Sequence, residues 1–356
     1  MALEAYITIK QFVDLDVIRK NIKSIRTLTQ KKVIFMVKAD AYGHGAEAVA
    51  KATEGVADMF GVATVDEGVA LRNFGIKLPI LVAVVEDSKI DFAIKYDLTI
   101  AVQNCAQLAT IIKHSNALKI KPKLHIKLDT GMHRLGAEAD EIACILRLSK
   151  ESDIEIEGVY SHLRSLNEMQ VASFLSMSQK ICEAYPNAMR HLASSSALCR
   201  EDLHFDAVRV GLSGYFGAMT VVSEVLATRY IAGGEYVSYG DFKLTNPAKV
   251  AVVFGGYADG IPRENPSAVY IRGKACEVLG RVCMDMFIVK TDGFFAEIGE
   301  KVVLVGGENK ISDVANQRNT IEYTVLTSFN GRTERIYFDD KNGNEKICSG
   351  EIAENK

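Results

Sequence analysis

The run VIFMVKADAYGHG, over 33–45, sets Lys38 at the close of five apolar residues, four positions ahead of Tyr42 and a Gly-His-Gly turn. An amine ending a buried strand is desolvated, and desolvation lowers its pKa toward the range where it serves as nucleophile or base. Taken alone, a strand-end lysine is ordinarily a snorkelling or phosphate-contacting residue. Other residues with matching chemistry are spread along the chain. VRVGLSGYFG (208–217) has Arg209 at a strand end, followed by Gly211 and Leu212, whose backbone N–H groups can cradle a phosphate. LDTGMHRLG (128–136) carries Arg134 just beyond Lys127. Tyr239, in YVSYGDF, is a phenol that titrates near ~10 in water, so cations must stand beside it if it is to act as a base. The bland readings are a salt-bridge arginine, a turn glycine and a packed histidine at His162 in VYSHL.

Such groups need elements to hold them. Asp14 can cap a helix whose apolar positions Leu15, Ile18, Ile22 and Ile25 follow helical spacing. Apolar strand-like runs follow at 33–37, 59–63, 79–84, 98–102, 122–128, 156–161, 190–194 and 206–210. Amphipathic stretches at 66–74, 104–113, 138–150 and 167–184 lie between them. About eight strand–helix repeats fit a closed (β/α)8 barrel of ~200 residues or more, with chemistry at the C-terminal ends of the strands, where Lys38 falls. From about residue 220 the strands at 249–255, 267–272, 275–280, 286–291 and 301–305 are short and β-branched, and the one helical stretch is 312–327. The expected class is therefore α/β, an N-terminal TIM barrel (1–222) and a C-terminal mainly-β domain (223–356). The polar tail from Asp339 is expected to fray.

Composition narrows the function classes. A chain of 356 residues exceeds one core, and a net charge of −3 without a Lys/Arg cluster argues against a nucleic-acid partner. Seven scattered cysteines, an odd number without CxxC pairs, read as reduced thiols in a cytoplasmic protein, and no metal ion is expected. No apolar run reaches the roughly 18 residues of a membrane span, and the N-terminus MALEAYITIKQF lacks a secretion-signal layout.

The ordered set VKADAYGHG, DTGM-x-RLG, VRVG, SYG, GYADG and GRVCMD resembles the alanine racemase family of fold-type III pyridoxal-phosphate (PLP) enzymes, over about residues 5 to 338. The resemblance implies that Lys38 holds PLP as a Schiff base and serves as the base for the D-enantiomer. Tyr42 and Ser195, the latter in HLASSSA (191–197), match phosphate contacts, with Gly211 and Leu212; Ser194 stands where the family more often has Asn. Arg209 faces the pyridine nitrogen, and being always protonated it keeps that nitrogen from holding a proton. Arg134 contacts the cofactor's phenolic oxygen and the substrate carboxylate. Lys127 matches a lysine that is carbamylated in many members, and His133 stands where Gly is usual. His162 matches a histidine that hydrogen-bonds near Arg209. In the second domain Tyr239 matches the base for the L-enantiomer, Tyr257 an entrance tyrosine, Met284 a backbone contact to the substrate carboxylate, and Asp285 an entrance residue. Tyr323 matches a tyrosine that narrows the pocket and favours alanine over serine. The family's active unit is a homodimer, with Tyr239, Tyr257, Met284 and Asp285 reaching the partner's barrel. Its cellular role is supply of D-alanine for peptidoglycan.

The alternatives differ in what they require. A serine or broad-specificity racemase has the same fold, and serine-preferring relatives tend to open the position of Tyr323. A non-catalytic PLP-binding barrel needs neither the β-rich domain nor the tyrosine of SYG. A decarboxylase on the same scaffold puts a carboxylate where Arg209 stands. A phosphate-binding barrel without PLP leaves Lys38 and Tyr239 as packing residues, and its protein is colourless.

Overall fold

A computed structural model describes residues 8–291, 293–329, 331–339 and 347–348. By internal contact the chain forms two units, which are taken in turn. One comprises Ile18–Ala41 and Ala46–Gly214; the other takes the described residues up to Val17, Tyr42–Gly45 and those from Tyr215 onward.

The first unit is a closed barrel of eight parallel strands, β2(Lys32–Met36), β3(Met59–Val62), β4(Ile80–Val82), β5(Thr99–Val102), β6(Lys123–Lys127), β7(Ile156–Tyr160), β8(Met189–Ser194) and β9(Ala207–Val210), with β9 returning to pair with β2. All eight fall within two residues of the expected runs. Helices cover the outside: α1(Leu15–Thr29), α3(Ala46–Thr53), α4(Val65–Asn73), α5(Ile90–Lys95), α6(Cys105–Leu118), α7(Ile142–Glu151) and α8(Glu168–Ala184). Strands buried on both faces read as continuous apolar runs, which is why β3, β4, β5 and β9 are buried at every position. Inside the barrel Ile34, Met59, Leu81, Ala101, Tyr160 and Ala207 form one core cluster. Asp14 Oδ1 accepts from Val17 N at 2.9 Å and starts α1 as its side chain allows. The short α2(Lys38–Tyr42) and α9(Leu212–Tyr215) follow β2 and β9 directly.

The second unit is mainly β. Its sheet runs β13(Lys274–Cys276)–β12(Val269–Ile271)–β16(Lys301–Val305)–β10(Met219–Ile231)–β1(Lys10–Asp14)–β17(Glu334–Phe338)–β18(Ile347–Cys348). Off this path β11(Ala248–Phe254) pairs with β10 and β15(Met286–Lys290), and β14(Val278–Leu279) pairs with β15. Two short helices, α10(Ile311–Gln317) and α11(Glu322–Ser328), occupy the stretch expected as one; Asn319 between them has a left-handed φ of 50°.

Three differences from the sequence reading have physical causes. Residues 8–17 and 215–222, assigned to 1–222 in that reading, group with the β-rich unit, because β1 pairs antiparallel with β10 and parallel with β17, more than 200 residues away. The expectation of reduced thiols is corrected at one pair: Cys105 and Cys144 form a disulfide, their Cα atoms 6.1 Å apart across 39 residues. Adjacent helix starts on a barrel bring them together, a proximity no CxxC spacing announces. The polar tail beyond Asp339 lies outside the described residues, except for β18.

Candidate active site

The chemistry-bearing residues of the barrel unit sit at the C-terminal ends of five strands. Lys38 is two residues past β2, Lys127 ends β6, His162 is two past β7, Ser195 follows β8, and Arg209 with Gly211 straddles the end of β9.

Lys38 opens an unusual turn. Ala39, Asp40, Ala41 and Tyr42 all have φ between 51° and 54°, a left-handed helical turn that costs an L-residue roughly 1–2 kcal/mol at each position. Neighbours hold it in place. Glu67 Oε1 accepts from Ala39 N at 2.7 Å, Ala41 N donates to Val37 O at 2.9 Å, and Asp40 Oδ1 accepts from Ala46 N at 2.7 Å. The other oxygen of Glu67 accepts from Ala63 N (2.6 Å) and Thr64 N (3.2 Å), closing the capping box of α4. One carboxylate thus ties the start of a barrel helix to the lysine turn. Burial lowers the Lys38 pKa, Arg134 lowers it further, and Glu67 opposes both.

Lys127 is 7% exposed. Its pKa is lowered to about 8, first by burial, then by Arg134 and Arg209; Asp129 opposes and Lys38 adds to the lowering. Arg134 rides on the loop after β6. Asp129 Oδ1 accepts from the N–H groups of Gly131 (2.9 Å), Met132 (3.1 Å) and His133 (3.1 Å), which folds that loop. The fold explains two positions of LDTGMHRLG. His133 takes a left-handed φ of 53°, where Gly is unstrained. Gly136 has φ +142°, and a Cβ there would lie 2.5 Å from Asp129 N.

Arg209 is 6% exposed. Its Nη1 donates to His191 O (2.7 Å) and approaches His191 Nδ1 (3.1 Å), and its Nη2 donates to Ser161 O (2.6 Å) and Leu192 O (3.1 Å). The guanidinium also lies 5.1 Å from the Tyr160 ring. Burial lowers its pKa to about 10, so it stays charged at neutral pH. Because arginine only donates, His191 Nδ1 must accept, which leaves the proton on its Nε2. That nitrogen is 2.9 Å from His125 Nδ1, which must accept in turn. Burial, then the Arg209 charge, holds His125 at about 3 and His191 well below its ordinary value, so both rings stay neutral. The result is a one-way chain from Arg209 through His191 to His125. Gly158 makes room for it, since a Cβ there would lie 2.6 Å from His125 Cε1.

His162 was expected to hydrogen-bond near Arg209. Among the described residues that partner is His191, together with three backbone carbonyls, one of them from Ser161 beside His162. His162 is instead a charge neighbour: burial lowers its pKa to about 3, with Arg209, Arg134, Lys38 and Lys127 adding to the effect.

A second group of the barrel unit forms around Ser195. Its Oγ accepts from Gly211 N (3.0 Å) and Ser213 N (3.3 Å) and lies 2.9 Å from Ser213 Oγ. Two backbone donors and two hydroxyls therefore converge at the start of α9, with Leu212 between them. That is a donor set suited to a phosphate.

The β-rich unit also gathers two groups. Tyr42 is buried, with its ring 5.7 Å from Tyr323 and 5.1 Å from Tyr215. Burial, then Tyr323, raises the Tyr42 pKa well above its ordinary value. Elsewhere Arg263 lies over both Tyr239 (5.6 Å) and Tyr257 (5.8 Å). Tyr239 O accepts from Arg281 N (3.3 Å), while Tyr257 N and Ala258 N donate to Cys283 O and Met284 O. Arg332 joins Asp259 to Asp285 at 2.8 Å. Tyr239 is 61% and Met284 52% exposed, so this face of the unit is open.

Known proteins match this arrangement along its length. A family description, "Alanine racemase, N-terminal domain", covers residues 13–219, and "Alanine racemase, C-terminal domain" covers 218–337. The chain belongs to the alanine racemase family. An alanine racemase of Thermodesulfovibrio yellowstonii is 34% identical, covering 94% of this chain and 97% of its own. One from Ligilactobacillus salivarius is 33% identical, covering 92% and 97%. Among solved structures, the Clostridium difficile alanine racemase superposes with a TM-score of 0.90 at 30% identity, over 97% of this chain and 98% of that one. The enzyme from a D-cycloserine-producing Streptomyces lavendulae gives 0.90 at 28% identity, over 94% and 98%. The chain is accordingly an isomerase of amino acids on a TIM barrel with a C-terminal β domain.

The motif reading of this family's residues missed Glu67, His191, His125 and Ser213. Two of them had a signal. His191 opens HLASSSA, and His125 lies two residues before Lys127, on the same face of a strand.

Proposed function

We propose that this isomerase interconverts L- and D-alanine by a two-base mechanism, with PLP held on Lys38. The observation that carries the reading is the half-buried, pKa-lowered Lys38 amine with Arg134 and Lys127 as charge neighbours, in a barrel whose strand ends also carry Arg209 and the Ser195–Gly211–Ser213 donor set. Those donors fit a phosphate, and an amine whose pKa is lowered by burial fits condensation with an aldehyde. When bound, PLP supplies an electron sink that acidifies the substrate Cα–H.

The protein's own groups do the rest. By the family motifs, Ser195, Gly211, Leu212 and Tyr42 would hold the phosphate. Arg209, charged and fixed by four acceptors, would serve the pyridine nitrogen and, unable to accept a hydrogen bond, would disfavour a proton there. Arg134 would hold the substrate carboxylate and the phenolic oxygen. Lys38 exchanges a proton with Cα on the D side. Tyr239 of a second copy does so on the L side, with Tyr257, Met284 and Asp285 of that copy at the entrance. The exposure of Tyr239 and Met284 supports their use by another chain, and Arg263 over the Tyr239 ring supplies a nearby cation. Lys127, neutral in part near pH 8, is reactive toward CO2; a carbamate there replaces a cation by an anion beside Arg134. By the family motif Tyr323, packed against Tyr42, would favour alanine over serine; a serine or broad-specificity racemase is the second reading. No helix among the described residues is long and apolar enough to cross a membrane. We read the reaction as a cytoplasmic supply of D-alanine for peptidoglycan.

The test of the cofactor assignment is borohydride reduction of the yellow protein, then peptide mass spectrometry. The expected result is a phosphopyridoxyl mass on the Lys38 peptide. A colourless preparation, or the mass on another lysine, overturns it.

A further inference from the structure

The Cys105–Cys144 disulfide lies where two barrel helices begin. Cys105 is the first residue of α6 and Cys144 the third of α7. Both follow strand C-terminal ends, so the bond crosses the rim of the barrel face that carries Lys127 and Lys38. Cys144, once reduced, sits in the first turn of α7, where backbone N–H groups favour a thiolate, whereas at α6 the Cys105 and Gln107 N–H groups already donate to Glu141 Oε1 and Asn104 Oδ1. Arg147 Nη2 approaches Cys144 Sγ at 4.0 Å and adds a positive charge. Two groups oppose it: Glu151, paired with Arg147 Nη1 at 3.0 Å, and Glu141, whose carboxylate accepts from Cys105 N (3.0 Å) and Glu138 N (3.1 Å). Stabilised thiolates make a disulfide easier to reduce, the pattern of reversible rather than purely structural pairs. Both residues are only partly buried, so a small thiol can reach them.

The bond closes a ring containing β6, Lys127 and the loop that carries Arg134. The Leu128–Ala137 bridge closes that loop and the Asp129 carboxylate folds it. Beyond the bridge, 138–141 leads straight into α7, which the disulfide pins to α6. We propose that Cys105 and Cys144 form a reversible redox site, exchanging with a low-molecular-weight thiol–disulfide couple, that sets how firmly the Arg134 loop is held. In oxidation one thiolate attacks the small disulfide and expels one thiolate. The second cysteine thiolate then attacks the mixed disulfide and expels the other. Two electrons pass to the small disulfide, and the two cysteine protons end on the released thiols. Two equivalents of the thiol reverse the exchange.

The holoenzyme is equilibrated in glutathione buffers of graded ratio, quenched, alkylated and mapped by peptide mass spectrometry. Cys105 and Cys144 should become labelled together at one midpoint, while Cys199, which is exposed and free, forms no intramolecular bond at any ratio. Reduction should lower Tm by about 4 °C and raise KM for alanine about threefold, with kcat less affected. Cys105→Ser and Cys144→Ser should match the reduced wild type at every ratio, and Cys199→Ser should keep the response. Full labelling of both cysteines at every ratio overturns the proposal, as do identical Tm and KM in the two states of the wild type. The KM readout rests on the role read for Arg134. Labelling and Tm do not, so a failure of the alanine reading is distinguishable from a failure here.

Discussion

Replacing Glu67 separates two jobs that one carboxylate performs. Its oxygens accept three backbone N–H groups, Ala39 at 2.7 Å, Ala63 at 2.6 Å and Thr64 at 3.2 Å, and its charge favours the ammonium form of Lys38. Each such bond contributes about 1 kcal/mol at a partly exposed site, so Glu67→Ala should cost about 2–4 kcal/mol. Spread over the unfolding entropy of 356 residues, that is a Tm lower by about 3–5 °C. Glu67→Gln keeps one acceptor oxygen and should cost about half as much. The electrostatic effect is common to both variants. Without the carboxylate, burial and Arg134 act on Lys38 unopposed, so its pKa falls further. The pH below which D-alanine turnover fails, where Lys38 holds a proton and cannot take one from Cα, should therefore move down. Calorimetry and a pH profile of D-to-L conversion measure the two effects. A wild-type Tm in Glu67→Ala, or an acidic limit that stays put or rises in Glu67→Gln, would refute the reasoning.

Two further outcomes follow from the buried chemistry. Gly158→Ala puts a methyl 2.6 Å from His125 Cε1 and should cost about 1–3 kcal/mol, together with lower activity as the His125–His191–Arg209 chain shifts; denaturant unfolding and kcat together check it. Lys127, with its amine near pKa 8, should give a carbamate carbon resonance when the protein is equilibrated with 13C-labelled CO2, absent in Lys127→Gln; a spectrum the same for both proteins contradicts the assignment.

The barrel was legible because parallel strands covered on both faces must be apolar throughout, as MFGV of β3 and TIAV of β5 are. β1 was not. KQFVD alternates modestly, and its partners β10 and β17 lie more than 200 residues away in the chain. The short α5, IDFAIK, offers too few turns for a period to register. At the site, Lys38, Lys127 and Arg209 could be picked out because motif and strand end coincide, and Arg134 by its motif alone. Their supports could not, since Glu67 reads locally as the third residue of a capping box and gives no sign that its other oxygen holds Ala39. His162 drew attention as the histidine of a motif, yet the guanidinium's ring partner is His191, set by which strand ends face each other across β8 and β9. The cysteine pair was missed for a similar reason, α6 and α7 being neighbours only in the folded barrel.

The central claim is that an amine and a phenol work opposite faces of one bound substrate. In D2O, each enantiomer of alanine is incubated separately with wild type and with Tyr239→Phe, and deuterium at Cα is followed with time in the remaining substrate and in the product. The account predicts that wild type labels both enantiomers, whereas Tyr239→Phe keeps its yellow colour, loses exchange into L-alanine and retains exchange into D-alanine through Lys38. Undiminished exchange from the L side in the phenylalanine variant would contradict it.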